Sequence, residues 1–218
     1  SGLIFLRDVL QKAGTTESGM HRVHSIVGAS FAIRRVLWEA LGGFQPEFAM
    51  YYEEMDLSWR AEFMGYTSIC APQSVVLHDV PQGRVPTAKL HAICRNRQLS
   101  VLSLYRWPTL LLLLPGLLLA ELAEFGYVVI AGGWHGIGAK LAAYAWLARD
   151  PGRVRRLAQR NRERRRLPDW SILENRAWSL DPREFTGGKV GRFLAQLASL
   201  PLYANGWLAW NICRLLGW

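Results

Sequence analysis

The composition of the chain changes near residues 99–107, and this break limits its possible folds more than any other feature. Before the break, short apolar runs alternate with glycine and proline, a pattern that favours strands and helices in turn. After it come an unbroken apolar run, Leu110 to Ala120, a second run, Phe125 to Ala131, and a basic block. The sequence therefore predicts two domains, residues 1–100 with mixed structure and residues 101–218 with mostly helical structure.

The first part is predicted to be α/β, because its β-rich runs alternate with amphipathic ones. The predicted strands are Ser25 to Ile33, Thr67 to Ala71 and Val75 to His78, and the predicted helices are Arg34 to Leu41 and Glu53 to Met64. This is short for a complete doubly wound sheet, and no glycine-rich phosphate loop or aspartate-rich strand end lies upstream. We therefore expect a nucleotide-binding half to lie outside these residues, and the chain to be a fragment or a processed product.

Three acids, Glu53, Glu54 and Asp56, stand together where the second predicted helix begins. The positive end of the helix dipole stabilises acids in a first turn, and Gly65 is a suitable residue to end the helix. Two interpretations follow. The acids either form an ordinary solvated first turn, or they are a site where carboxylates perform acid–base work.

The charge of the chain is concentrated in one segment. The formal net charge is +9, and the segment from Arg149 to Arg166 holds nine arginines against Asp150 and Glu163. Such a block favours an anionic partner. Three widely spaced cysteines indicate neither a disulfide framework nor a zinc site, which fits a reducing, cytosolic environment.

The apolar runs predict attachment to a membrane. A helix needs about 20 apolar residues to cross a bilayer. Leu110 to Ala120 is shorter, and its extension meets Pro115, Glu121 and Glu124. An in-plane or re-entrant helix pair is therefore favoured over an ordinary span. The arginine block supplies a second membrane signal, because basic segments bind anionic lipid and mark the cytoplasmic face.

Residues of about 20–105 resemble a known enzyme family. The segments that carry the resemblance are Gly28 to Arg35, Leu41 to Phe44, Phe48 to Ala61, Gly65-Tyr66, and Pro72 with Val75 to His78. In this order and spacing they are similar to the acceptor-side half of inverting family 2 glycosyltransferases, in particular the rhamnosyltransferase-like branch. The resemblance implies a partial GT-A (Rossmann-like) fold for residues 1–100.

The resemblance also implies a catalytic base and a metal site. Glu54 matches the base, which would take the proton of an acceptor hydroxyl as that hydroxyl attacks the anomeric carbon. His78 matches a ligand of a divalent metal, Mg or Mn, held together with an upstream Asp-x-Asp; such a metal neutralises the departing diphosphate. Many relatives carry Asp where this chain has Glu54, so the reach of the base differs here.

Further residues are assigned to substrate binding, each with an open alternative. Glu53 is expected to contact the acceptor, and Asp56 either binds acceptor hydroxyls or only stabilises the helix start. Gly28-Ala29-Ser30 either lets a sugar diphosphate approach the backbone or forms an ordinary tight strand. Arg95 and Arg97 either meet lipid phosphates or the donor diphosphate, or lie on a solvated basic face.

Two function classes remain open from the sequence. The first is a glycosyltransferase that moves a sugar, with inversion, from a nucleotide-sugar donor to a lipid-linked or cell-surface glycan at the cytoplasmic face of a membrane. The second is a non-catalytic module whose basic block binds membrane or nucleic acid. Nucleic acid is not expected as a partner, since the block adjoins an aliphatic run rather than interleaved aromatic residues.

Overall fold

The computed structural model describes residues 19–77, 86–174 and 188–218. The described elements, in chain order, are β1 (His21–Val23), α1 (Arg35–Leu41), α2 (Glu53–Phe63), β2 (Ser68–Cys70), α3 (Thr87–Leu104), α4 (Trp107–Arg149), α5 (Pro151–Arg164), α6 (Asp169–Leu173) and α7 (Gly188–Leu216). Helices dominate, and the one sheet among the described residues has two strands. The prediction of an α/β, partial GT-A (Rossmann-like) fold is therefore wrong.

The strand predictions failed for a local reason. Ser25 to Ile33 does not form a strand; instead the Ser30 N–H donates to the carbonyl of Val27 at 3.3 Å and closes a turn. The segment of residues 75–77 is also irregular. Only β2 lies inside a predicted strand, and it pairs antiparallel with β1 so that Arg22 faces Ile69. Two three-residue strands cannot make the parallel sheet of a doubly wound fold.

The two predicted helices of the first part are confirmed as α1 and α2. Gly42 follows α1 in the left-handed region, with φ 73°, as expected for a glycine that ends a helix. The buried guanidinium of Arg60 then donates to the carbonyls of Leu41 and Gly43 at 2.7 and 2.8 Å. α2 is thereby fixed to the end of α1 by a charge-assisted contact.

α4 folds back on itself as a helical hairpin. Its helical path breaks at Gly133, where φ is 55° and ψ is −141°. A Cβ on Gly136 would lie only 2.2 Å from the carbonyl oxygen of Val128, so the two arms (residues 107–132 and 134–149) touch there with no room for a side chain. Farther from the turn, Lys140 binds Glu124 and Tyr144 binds Glu121. The arms therefore run antiparallel.

The other helices pack around this hairpin. α3 packs along α4, while α7 runs antiparallel to the first arm, where Asn205 accepts from the N–H of Gly116 at 3.0 Å and donates to the carbonyl of Leu112 at 2.9 Å. The first turn of α4 is held by Asp169, whose carboxylate accepts from the N–H of Arg106 and the hydroxyl of Thr109. α3 crosses the predicted domain boundary at residue 100 and ends at Leu104.

The first arm of α4 exposes a long apolar face. The 20-residue segment Trp107–Gly126 is long and apolar enough to cross a membrane, by length and composition only. The prediction of a run too short to span is thus corrected, because the helix continues through Pro115 and the side chains of Glu121 and Glu124 are paired within the protein. The exposed face is formed by Leu111, Leu114, Leu118, Leu122, Phe125 and Val129.

Candidate functional site

A strained turn leads into the acidic helix α2. Ala49, Tyr51 and Tyr52 all have positive φ, at 56°, 63° and 69°, and Tyr52 is the residue from which the helix starts. Non-glycine residues rarely adopt this left-handed conformation, which costs on the order of 1 kcal/mol or more each, and such outliers cluster at functional sites. The surrounding structure must therefore hold this turn in place.

α3 supplies that support from one side chain. The buried amide of Asn96 donates to the carbonyls of Phe48, Met50 and Tyr51, at 2.8, 2.8 and 2.6 Å. Arg95 adds a bond to the Phe48 carbonyl at 2.9 Å and one to the Asn96 side-chain oxygen at 2.8 Å. The sequence had marked Arg95 only as a possible phosphate ligand or as part of a solvated basic face. Its role in holding the turn could not be read from spacing, because the partners lie more than 40 residues apart.

The two carboxylates at the start of α2 do not have hydrogen-bond partners for all of their buried oxygens. Both Glu53 and Glu54 are half-buried, and on each the Oε2 atom is buried without a hydrogen-bond partner among the described residues. Burial raises the pKa of Glu53, and the charge of Glu54 beside it raises that pKa further, against a lowering by the backbone N–H of Glu53. A carboxylate pair of this kind can accept or hold a proton from a bound hydroxyl group.

The Gly28-Ala29-Ser30 segment lies beside this pair. A Cβ on Gly28 would stand 3.5 Å from Oε1 of Glu54, so the glycine leaves the carboxylate uncovered on that side. The segment is exposed. It is fixed to α2 because the N–H of Ile26 donates to the Ser58 hydroxyl at 3.0 Å, and that hydroxyl donates to the carbonyl of Glu54 at 2.7 Å. The structure thus brings together the predicted base and the predicted substrate-binding turn.

Asp56 occupies a different environment. It is completely buried, and its carboxylate accepts from Nε of Arg60 at 2.7 Å and from the amide of Gln45 at 3.0 and 3.1 Å. Burial raises its pKa, and Arg60 and Gln45 lower it. With its oxygens engaged inside the protein, Asp56 fits the structural alternative better than acceptor binding.

Arg97 binds acids of α4 and not the carboxylate pair of α2. It is 1% exposed and binds Glu124 through two hydrogen bonds of 3.0 and 2.7 Å, with a further ion pair to Glu121. Lys140, itself fully buried, binds the same two glutamates, and Gln98 and Tyr144 donate to Glu121. This cluster lies between α3 and the two arms of α4. The guanidinium of Arg97 is already paired with carboxylates, whereas a phosphate ligand would need free N–H donors.

The basic helix α5 contacts the segment just before this turn. Arg160 forms an ion pair with Glu47, and Asn161 accepts from Gln45 at 3.4 Å. The sequence suggested that the arginine block is a charged surface. In the structure the block also makes contacts inside the protein. Sequence reasoning missed Gln45 and Asn161, for which no local signal exists because 116 residues separate them.

The predicted metal has no described ligand set. His78 lies outside the described residues. Within residues 19–77, 86–174 and 188–218, no group of three His, Cys, Asp or Glu side chains stands close enough to hold a metal ion. Asp56 is tied to Arg60, whereas Glu47, Glu53 and Glu54 each keep one buried oxygen without a partner in the described part. A divalent metal stays a prediction from the resemblance.

Comparison of the chain with models of protein families, with curated proteins and with solved structures finds no match.

Proposed function

We propose that this chain carries the catalytic base and the acceptor-binding part of a glycosyltransferase that works at a membrane surface. The observation that carries the proposal is the carboxylate of Glu54. Its Oε2 is buried without a partner among the described residues, while its Oε1 faces the small, exposed turn at Gly28. A buried polar atom without a partner is costly, so its persistence is best explained by a ligand that completes it.

The chemistry asked of Glu54 is removal of one proton. An acceptor hydroxyl is a weak nucleophile, and a carboxylate within hydrogen-bond reach makes it a better one as the bond to the sugar forms. Burial raises the pKa of Glu53, and we assign it to contact with the acceptor and Glu54 to removal of the proton. This gives the two neighbouring acids separate roles.

The strained turn fixes the position of the two carboxylates. Carboxylates at the start of a helix move with the backbone that precedes it, and here that backbone is fixed by Asn96, Arg95 and Arg160. A base held in one place loses less freedom on reaching the transition state. The resemblance supplies the reaction class, a sugar moved with inversion from a nucleotide-sugar donor to a glycan or glycolipid acceptor.

The membrane part of the proposal rests on exposed apolar side chains. Besides the apolar face of α4, the helix α7 exposes Leu200, Tyr203, Trp207, Leu208, Leu215 and Leu216. Contiguous apolar surface of this extent marks contact with lipid or protein. Exposed arginines of α5 lie at the end of the hairpin where α4 begins and ends, and the positive-inside rule favours the cytoplasmic face for them.

The decisive experiment replaces the base. In the product of the complete gene, Glu54→Gln should reduce transfer of labelled sugar to membrane acceptors by at least about 10²-fold, since the amide keeps the shape but cannot take the proton. The matched control is Glu39→Gln, an exposed acid on α1, which should leave the rate unchanged. Transfer by Glu54→Gln within a few-fold of the parent would show that Glu54 is not the base.

A second experiment tests the membrane surface. Arg155, Arg162 and Arg166 are exposed, and replacing all three by Gln should weaken binding to anionic vesicles, each arginine contributing roughly 1 kcal/mol. Binding to neutral vesicles should change little, and salt should weaken the parent's binding to anionic ones. Arg34→Gln with Arg35→Gln, two exposed arginines of α1, is the control. Equal losses in both variants would remove the special role of α5.

A further inference from the structure

Two arginines from different helices contact one tryptophan. The guanidinium carbon of Arg95, on α3, lies 4.6 Å from the ring centre of Trp146, on the second arm of α4. The guanidinium carbon of Arg153, in the first turn of α5, lies 3.9 Å from the same ring. The proximity of Arg153, after burial, lowers the pKa of Arg95. Three helices thus bring two like charges to one half-buried place.

Among the described residues, Asp150 is the one acid that pairs with either of these cations. Arg95 gives hydrogen bonds to the Phe48 carbonyl and the Asn96 side chain, both neutral acceptors. Arg153 has Asp150 at 3.7 Å, but that carboxylate binds Arg156 more closely, at 2.8 Å. Nη1 of Arg153 is buried and has no hydrogen-bond partner among the described residues. A buried guanidinium N–H without an acceptor is costly.

We propose that Arg95 and Arg153, which both contact the ring of Trp146, bind a phosphate group. Guanidinium groups present planar, paired donors that match phosphate oxygens, and stacking on an aromatic ring fixes their direction. A phosphate would give Nη1 of Arg153 its missing acceptor and would relieve the repulsion between the two cations. The side chain of Arg153 is 28% exposed, so a ligand can reach it from solvent.

The site adjoins the proposed catalytic centre through one residue. Arg95 holds the Phe48 carbonyl at the beginning of the strained turn, and that turn ends at Glu53. A phosphate on Arg95 and Arg153 would therefore anchor a substrate whose reactive group lies toward α2. The role of substrate anchor deepens the proposed function and rests on it. Phosphate binding by the two arginines does not depend on that function. The phosphate can be lipid-borne or free, and Arg97, occupied by Glu124, takes no part.

Binding is tested without turnover, on the whole chain in detergent, by calorimetric titration with inorganic pyrophosphate, farnesyl phosphate and farnesol. Arg153→Gln should weaken binding of the phosphorylated probes by about tenfold or more, as expected for loss of a charge-assisted contact. Arg35→Gln, at an exposed arginine of α1, should leave it within about twofold, because it removes only screened surface charge. Tighter binding of farnesyl phosphate than of pyrophosphate identifies a lipid-borne phosphate, and the reverse a free one.

Several results would overturn the site. They are no binding of either phosphorylated probe by the parent, binding of farnesol as strong as that of farnesyl phosphate, or equal weakening by Arg153→Gln and Arg35→Gln. If Arg153→Gln does not fold, the parent alone decides: pyrophosphate should protect Arg95 and Arg153, but not Arg162, from phenylglyoxal, as read by peptide mass. Equal modification with and without pyrophosphate would reject the proposal. Loss of transfer in Glu54→Gln with no phosphate binding would reject this site while leaving the base in place.

Discussion

Glu53 and Glu54 stand next to each other at the start of α2, whereas Glu121 and Glu124 stand one turn apart on the first arm of α4. Both pairs lose water on folding, but among the described residues only the second pair gains cations in return. Arg97 and the fully buried Lys140 each contact both glutamates of the α4 pair. The α2 pair keeps a buried oxygen unpartnered on each residue among the described residues.

This difference separates two uses of buried acid. Charges compensated inside the protein fix helices against one another, and removing one partner leaves an expensive unpaired ion. Charges left uncompensated lower stability but remain available to a ligand. The comparison makes opposite predictions for the two pairs, which mutation can check.

The largest effect is expected from Lys140→Met. It leaves Glu121 and the buried Glu124 with one cation instead of two, and breaking a buried ion pair in this way costs about 3–5 kcal/mol. The measurement is thermal and denaturant unfolding in detergent. Adding Glu124→Gln to Lys140→Met should recover part of the loss, and Lys89→Met, which removes only a contact with the Tyr51 ring, should cost less than about 1 kcal/mol. A small loss of unfolding free energy in Lys140→Met would show that the two cations do not stabilise the Glu121–Glu124 pair.

A smaller but still large effect is expected from Asn96→Asp. The substitution keeps the shape, yet it turns a donor to three carbonyls into a carboxylate facing them, which should cost about 2–3 kcal/mol of unfolding free energy. Asn211→Asp, where the amide donates to one carbonyl on an exposed helix face, is the control. The lost stability should be accompanied by faster proteolysis at the turn of residues 48–52. An unchanged turn would mean that the strain is supported elsewhere.

The smallest effect, and the only stabilising one, is expected from Glu53→Gln. Since the folded-state pKa of Glu53 is raised above its ordinary value of 4.5, its favourable contribution is complete below about pH 4.5 and is lost as the pH rises through the folded pKa. Parent and variant should therefore unfold alike at low pH. At pH 7 the variant should be more stable by no more than about 1 kcal/mol, because the partly exposed pair is screened by solvent. Destabilisation at pH 7 would place Glu53 among the compensated acids.

The local parts of the fold were predictable from the sequence, and the long-range parts were not. α1 and α2 were predicted nearly to the residue, because glycine stops, first-turn acids and amphipathic spacing are local signals. The strand expected at Ser25 to Ile33 was wrong because a β-rich run pairs only if a partner strand is present. The α/β prediction depended on such partners and failed with them.

The candidate site was predictable in its residues but not in its supports. Gly28, Glu53 and Glu54 lie together in the structure as the resemblance suggested, and that assignment of roles stays a prediction. The sequence could not show that Arg95 and Arg97 have different roles, because the acceptors that distinguish them lie on distant elements. The hairpin did leave one signal: Glu121 and Tyr144, like Glu124 and Lys140, stand at nearly equal distances from Gly132-Gly133. If the chain is assumed to reverse at these glycines, this spacing predicts that the residues of each pair contact one another.

The turn at Gly133 has a topological consequence. A chain that reverses direction there leaves the apolar arms at the same end at which it entered them, so residues before Trp107 and after Arg149 emerge side by side. However deeply the hairpin is inserted, it cannot by itself divide α3 from α5 between two compartments. A protease enclosed on one side of sealed vesicles would therefore reach both flanks of the hairpin or neither.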